Sequence, residues 1–255
     1  AQEMKPYFQN EFCTIEHGDC REIFPGIHDE FADMVLCDPP YGETSIGWDK
    51  KVSGFIPPLH DIMKATGSLW CFGSMRMFLQ MGMESFGGLR FAQDVVWEKH
   101  NGSNFHADRF KRVHEYVLQF YREPWANVYR NPVKTMDATA RTVRRKKRPP
   151  HTGHIEAGHY TSQDGGPRLE RSVIYVPSCH GYAVHPTQKP AGIIAPLVEY
   201  SCPPGGMILD PMMGSGTSLV VAQSMGRHCL GIEMDEKYCE AAAKRLESNE
   251  IPRSR

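Results

Sequence analysis

Asp38-Pro39-Pro40-Tyr41 follows the apolar run Met34-Val35-Leu36-Cys37, which sets a carboxylate, two rigid carbonyls and an aromatic ring at the end of a strand. Each proline fixes its own φ, removes an amide donor and keeps the residue before it extended, leaving the carbonyls of Asp38 and Pro39 free to accept. That combination suits a planar amine. An exocyclic NH2 has two hydrogens to give: the Asp38 carboxylate can take one and the Pro39 carbonyl the other, with Tyr41 as a stacking face. A strand that simply ends in a proline turn has the same four residues, so a second signal is needed.

Met207-Ile208-Leu209-Asp210 supplies it, as an apolar strand running into Pro211-Met212-Met213-Gly214-Ser215-Gly216-Thr217 and then a helix. Glycines let a ligand come close to backbone, and a helix N-terminus presents free amides to an anionic group. Cys229-Leu230-Gly231-Ile232 reads as the next strand and ends at Glu233, an acid placed to accept from ribose hydroxyls. Strand, glycine turn, helix, strand, acid is the pattern of a nucleoside half-site. No Lys follows the glycines as a triphosphate loop requires, and the third glycine of a dinucleotide fingerprint is missing. Ser215 has glycines directly on both sides, which is not the spacing of a nucleophile elbow. A nucleoside without phosphate, such as S-adenosylmethionine, fits what remains.

With these segments in this order, the chain resembles the amino-methylating DNA methyltransferases. The match is to their permuted beta group, in which the catalytic tetrapeptide precedes the cofactor-binding glycine turn. Gly18-Asp19, Trp48-Asp49, Trp97-Glu98-Lys99 through Arg109-Phe110, His114-Glu115 and His185-Pro186-Thr187-Gln188-Lys189-Pro190 extend the resemblance over nearly the whole chain. The family usually has Phe in its Asp-Pro-x-x-Gly turn, where this chain has Met212-Met213. Met is a flexible apolar substitute, so the departure touches adenine packing more than chemistry.

The resemblance implies an α/β fold: a doubly wound, mostly parallel, seven-stranded Rossmann-like sheet in which strand 114–121 is antiparallel. It divides the chain into a catalytic half (1–122), a basic, loop-rich target-recognition insertion (123–181) and a cofactor-binding half (182–255). S-adenosylmethionine is the implied cofactor, with Glu233 at its ribose and Asp19 and Cys20 at its adenine ring. Thr187, Lys189 and Ser215 would lie near its methionine tail, and Asp210 would orient the glycine turn. Pro211, Met212, Gly214, Gly216, Thr217 and Met234 complete that site.

Asp38, Pro39, Pro40 and Tyr41 would carry direct methyl transfer to the N6 amine of an adenine flipped out of double-stranded DNA. Asp38 favours adenine, because in the family the cytosine-N4 enzymes more often carry Ser there and protein-amide enzymes carry Asn. Cytosine-N4 methylation and a catalytically silent DNA-binding protein are the alternatives, and a homodimer and a cognate restriction enzyme are further candidate partners.

Composition agrees with a soluble cytoplasmic enzyme. The 255 residues are 40% hydrophobic, no stretch is long and apolar enough to span a bilayer, and the polar residues 1–11 lack a signal peptide's apolar centre. Eight cysteines stand without any Cys-x-x-Cys pair, as buried free thiols would. The net charge of −1 hides a division along the chain: residues 100–171 hold 14 Lys and Arg against 7 Asp and Glu, the rest 15 against 23. Six basic side chains crowd into Arg141–Arg148, which reads as an extended loop with Arg144, Arg145, Lys146 and Lys147 on DNA phosphates, or else as a solvated loop or localisation signal. Arg109, Lys111 and Arg112 form a second candidate phosphate segment. His151, His154 and His159 have glycine neighbours and no cysteine close by, so no metal is assigned to them.

Apolar runs predict strands near 12–17, 33–38, 68–73, 91–98, 114–121, 207–210 and 228–233, with helices in 53–66, 74–85, 190–201, 216–225 and 235–247. In an alternating α/β sheet ligands bind at strand carboxyl ends where the winding reverses, so the strands ending at Asp38 and Asp210 should be neighbours.

Overall fold

The structure is a computed structural model that describes residues 5–43, 47, 49–103, 107–146, 156–179, 181, 183 and 188–250. The chain forms two compact units, one of residues 1–131 with 172–255 and one of residues 132–171. Trp48, Lys147, Arg148, His151, His154, His185, Pro186 and Thr187 lie outside the described residues.

In the larger unit, β3 (Ala32–Cys37) and β4 (Met63–Gly73) show why a covered sheet forms. Successive strand side chains point to opposite faces. Met34, Leu36, Trp70 and Phe72 enter one buried cluster, and Val35, Cys37, Leu69 and Cys71 enter the other. Strands apolar on both faces need cover on both, which is the setting of a parallel sheet. β12 (Met207–Asp210) repeats the pattern, with Ile208 on one side and Leu209 on the other. Full burial contributes roughly 1.5–3 kcal/mol for each large side chain, so loops leaving these strands start from fixed points.

The sheet has nine strands: β1 (Phe8–Gln9), β2 (Cys13–His17), β13 (His228–Glu233), β12, β3, β4, β6 (Arg112–Tyr121), β5 (Arg90–Ser103) and β11 (Val173–Tyr175), in that spatial order. β2 through β4 are mutually parallel, and β6 is antiparallel to both β4 and β5. The seven implied strands are all present. The two additional ones, β1 and β11, are short edge strands whose few residues carry little pattern of their own. One face is covered by α4 (Ala191–Ser201), α5 (Thr217–Ser224) and α6 (Glu236–Glu247), through Ile193, Leu197, Leu219, Val220 and Ala242. α2 (Leu59–Ile62) and α3 (Met75–Met81) cover the other through Leu59, Ile62, Met77 and Phe78. Helices on both faces make the sheet doubly wound. A short helix not expected from sequence, α1 (Cys20–Ile23), starts at Asp19, whose carboxylate accepts from Arg21 N at 2.9 Å.

Two predicted helices are shorter than expected. Within 53–66 only α2 is helical, because Met63 pairs with Ala32 and Phe31 N donates to Ile62 O, drawing the following residues into β4. Within 74–85, α3 stops at Gly82, whose φ of 70° no helix accommodates, and Met83–Phe86 is a separate 3-10 turn.

In the smaller unit β7 (Lys134–Thr135) pairs with β10 (Arg168–Leu169), and β8 (Arg141–Arg145) pairs antiparallel with β9 (Gly158–Ser162). The basic run is therefore a strand over its first five residues and not the extended loop expected. Val143 faces Tyr160 across the ladder, Thr142 and Thr161 hydroxyls meet at 3.1 Å, and Arg144, Arg145 and Lys146 are exposed. Residues 123–131 and 172–181 cluster with the larger unit.

Candidate active site

β12 lies between β3 and β13, so Asp38, Asp210 and Glu233 emerge side by side at the carboxyl ends of three parallel strands. The expected adjacency of the Asp38 and Asp210 strands is thus observed. They open on a cleft of about 2060 Å³ within the larger unit. Ligand pockets commonly run about 300–1,000 Å³, so this one has room for a cofactor and part of a second molecule.

At the β3 end, Asp38 belongs to a closed ring of polar contacts. Lys189 Nζ donates to Asp38 Oδ2 at 2.6 Å and lies 3.4 Å from Glu115 Oε2. Tyr41 OH stands 3.1 Å from Asp38 Oδ1 and 3.1 Å from the same Glu115 Oε2. Lys99 pairs with the other oxygen of Glu115. Burial raises Asp38 above the ordinary carboxylate range, with Glu115 adding to the rise and Lys189 opposing it. Burial also pushes Glu115 upward, but Lys189 and Lys99 overcome it and bring that carboxyl down to about 2. Tyr41 is held well above its usual value by burial and by the two acids. Lys189, opposed by burial, is nonetheless raised by Asp38 and Glu115. The ring therefore joins two acids, Asp38 and Glu115, to two lysines and one neutral phenol. Its alignment comes from the sheet: Glu115 is the register partner of Trp97, and Lys99 lies two residues beyond Trp97 on the adjacent strand.

Asp49 fixes the turn after Tyr41 by accepting from Gly42 N at 2.7 Å and Glu43 N at 3.1 Å. Glu43 in turn accepts from Arg112 Nη1 at 2.9 Å, and Arg109 pairs with Asp108 at 3.0 Å. Arg109 and Arg112 line the cleft, as does the fully exposed Phe110, whereas exposed Lys111 is not among the lining residues.

At the β12 and β13 ends, Glu233 accepts from Gly214 N at 3.0 Å and Asp235 N at 2.8 Å. Burial raises its pKa while those amides pull it back. Burial lifts Asp210 to about 7, even though the Ser218 hydroxyl donates to it and Met212 N does so at 3.1 Å. Gly216 has φ 73°, and a Cβ there would stand 2.7 Å from Ala242 Cβ, so the turn needs glycine both for its backbone and for the close approach of α6. Ser215 Oγ donates to Gln188 Oε1 at 3.2 Å, and Arg245 Nη1 donates to Ser215 O at 2.6 Å and reaches Thr217 Oγ1 at 3.3 Å. Asp19 is paired with Arg21, and burial pushes the Cys20 thiol up to about 12.

The cleft thus brings together Asp38, Pro39, Pro40 and Tyr41 with Asp19, Cys20, Lys189, Asp210, Pro211, Met212, Gly214, Ser215, Thr217, Glu233 and Met234. Lys189, which the resemblance sets near a cofactor tail, is ion-paired with Asp38 in this structure. Thr187 and Lys147 lie outside the described residues. Arg144, Arg145 and Lys146 belong to the smaller unit. Lys99, Glu115, Asp49 and Arg245 were not singled out from sequence; the first three stand in the resembling segments, but their roles appear only once strands from distant parts of the chain are paired. Three acids, Asp38, Asp210 and Glu233, face the cleft at the strand ends, and Arg245 is bonded to the glycine turn through Ser215 O.

Residues 32–244 match the family model N6_N4_Mtase, described as DNA methylase. The Type II methyltransferase M.HinfI of Haemophilus influenzae is 28% identical over 280 residues, covering 95% of this chain and 70% of that protein. The crystal structure of the M1.HpyAVI-SAM complex superposes with a TM-score of 0.63 at 20% identity, covering 92% of this chain and all of that one. PvuII DNA methyltransferase (cytosine-N4-specific) gives a TM-score of 0.69 at 16% identity, covering 97% and 90%. At these identities the two structures establish a shared fold.

Proposed function

The chain belongs to the N6/N4 DNA methylase family, and from that premise we propose that it is an S-adenosylmethionine-dependent DNA adenine-N6 methyltransferase. The observation that carries the reading is the Asp38 carboxyl group, paired with Lys189 and opening on the same cleft as Glu233 and the glycine turn. Glu233, Asp210 and the backbone of residues 211–217 would hold the cofactor, which supplies a methyl group on a sulfonium. An adenine N6 amine is a poor nucleophile, because its lone pair is delocalised into the ring. Hydrogen bonds to the Asp38 carboxylate and the Pro39 carbonyl favour a pyramidal nitrogen whose lone pair points out of the ring plane, toward the methyl. Holding both reactants in line supplies on the order of 7–11 kcal/mol of the barrier. A flipped base stacked on Tyr41 recovers roughly 1–3 kcal/mol of the unstacking cost.

Adenine is preferred because Asp38 stands where, by the family resemblance, cytosine-N4 enzymes more often carry Ser. Cytosine N4 is the second reading, favoured by the fold shared with the PvuII enzyme. Exposed Arg144, Arg145 and Lys146, and Arg109 at the cleft, are the side chains assigned to DNA phosphates. The likeness to a type II methyltransferase suggests a restriction enzyme of the same target sequence as a functional partner. Incubation with methyl-labelled S-adenosylmethionine and genomic DNA, followed by digestion to nucleosides, tests the assignment. Label in N6-methyladenine is expected; label in N4-methylcytosine selects the second reading, and no label in DNA rejects both.

A further inference from the structure

Glu115 has no part in the methyl transfer outlined above, yet one of its oxygens lies within reach of both groups that occupy Asp38. Lys189 Nζ on Asp38 Oδ2 and Tyr41 OH at Asp38 Oδ1 are also 3.4 Å and 3.1 Å from Glu115 Oε2. We propose that Glu115 is a positioning residue for the transfer site: its Oε2 is the second acceptor to which Lys189 and Tyr41 shift when the target amine takes up Asp38.

A carboxylate that already receives an ammonium and a phenol, one on each oxygen, is a weakened acceptor for a third, neutral donor. If those donors simply let go, a buried ammonium and a buried hydroxyl are left without partners. Tyr41 has a single hydroxyl hydrogen between two carboxylate oxygens at equal distance, so it can serve Asp38 or Glu115 but not fully both. Lys189 has three hydrogens and already spans the two acids. A small shift of either donor toward Oε2 therefore frees Asp38 without breaking a bond outright. Lys99, on the opposite oxygen of Glu115, keeps that acid charged and leaves Oε2 as the acceptor facing the ring. Among the described residues, the titratable groups facing Asp38 are Lys189, Tyr41, Glu115 and Asp210, and those facing Glu115 are Asp38, Tyr41, Lys189 and Lys99.

This rests on the methyl-transfer reading, and the test separates the two. Full-length protein carrying Glu115→Gln is compared with wild type for S-adenosylmethionine affinity, single-turnover methyl transfer to DNA, and the pH profile of that rate. Cofactor Kd should stay within about twofold, while the rate at neutral pH falls at least about fivefold, because Lys189 and Tyr41 then stay on Asp38. The acid limb should move to lower pH, since the anion that raises Asp38 is gone. A defect confined to packing lowers the rate without that movement. A smaller fall, an acid limb that stays or moves upward, or a matching loss of cofactor binding overturns the proposal. Should Glu115→Gln not fold, Lys99→Met with Glu115→Leu removes the acceptor in a charge-balanced pair and is judged by the same criteria. Wild type that transfers no methyl to DNA sinks the underlying reading instead.

Discussion

Lys189→Met removes the ammonium while keeping an unbranched apolar chain beside Phe72, whose ring lies 5.3 Å from the Lys189 Nζ. The Lys189 side chain is 8% exposed and that of Asp38 27%, with the charges 2.6 Å apart. Breaking a buried pair from one side costs about 3–5 kcal/mol, and the opening of Asp38 onto the cleft puts the loss at the lower end, about 3 kcal/mol. For a chain of this size that is a fall of roughly 6–12 °C in melting temperature near neutral pH. The sign follows from burial, which already holds Asp38 above the ordinary carboxylate range, and from Lys189, which pulls it back. Without Lys189 the folded-state value rises further above the unfolded one. The part of the variant's deficit that comes from Asp38 is then small below about pH 4 and grows as pH rises through the shifted value, while the part that comes from Glu115, which Lys189 helps hold down to about 2, is present over the whole range. Thermal melts from about pH 4 to pH 8 measure it, and the acid limb of methyl transfer should move upward, opposite to its movement in Glu115→Gln. Melting temperatures within about 2 °C of wild type across that range would refute the reasoning.

Asp210 is lifted by burial to about 7. A carboxyl raised in the folded state contributes stability that is complete below the unfolded value, about pH 4, and is lost as pH rises through about 7. Asp210→Asn, which mimics the protonated acid, should therefore match wild type near pH 4 and exceed it by about 2–4 kcal/mol near pH 8; a variant less stable at the higher pH contradicts the assignment. Glu233→Gln keeps an oxygen for Gly214 N but loses the charge, and should weaken S-adenosylmethionine binding by about 1.5–3 kcal/mol. Calorimetry with unaltered affinity would count against Glu233 as the ribose acceptor. Neutralising Arg144, Arg145, Lys146 and Lys147 together should flatten the plot of log DNA affinity against log salt by up to about 0.9 per lost phosphate contact, for every DNA sequence alike. An unchanged slope returns the run to a solvated segment.

The parts of the fold legible in sequence are those with strong local pattern. The apolar runs ending at Asp38, Asp210 and Glu233 are strands, and α4, α5 and α6 lie within a residue or two of their expected spans. What was missed depends on distant partners. The helix expected at 53–66 gives way where Met63 pairs with Ala32, a contact with no trace in local propensity. The first half of the basic run becomes a strand because Gly158–Ser162 completes its ladder. Among functional residues, the tetrapeptide and the glycine turn were visible because each carries its chemistry in consecutive residues. The Lys99, Glu115 and Lys189 ring was not, since it joins residues from two strands and a loop 74 positions beyond the second.

The central claim, that Asp38 acts on the target amine and not on the cofactor, is tested most directly by Asp38→Ala. Single-turnover methyl transfer to DNA and S-adenosylmethionine affinity are measured on the same preparation. The rate should fall by about a hundredfold or more while cofactor Kd changes by less than about threefold, because an interaction made with the reacting amine has been removed and the Glu233 end of the cleft is untouched. Equal losses of rate and cofactor binding, or a rate within about threefold of wild type, would contradict it.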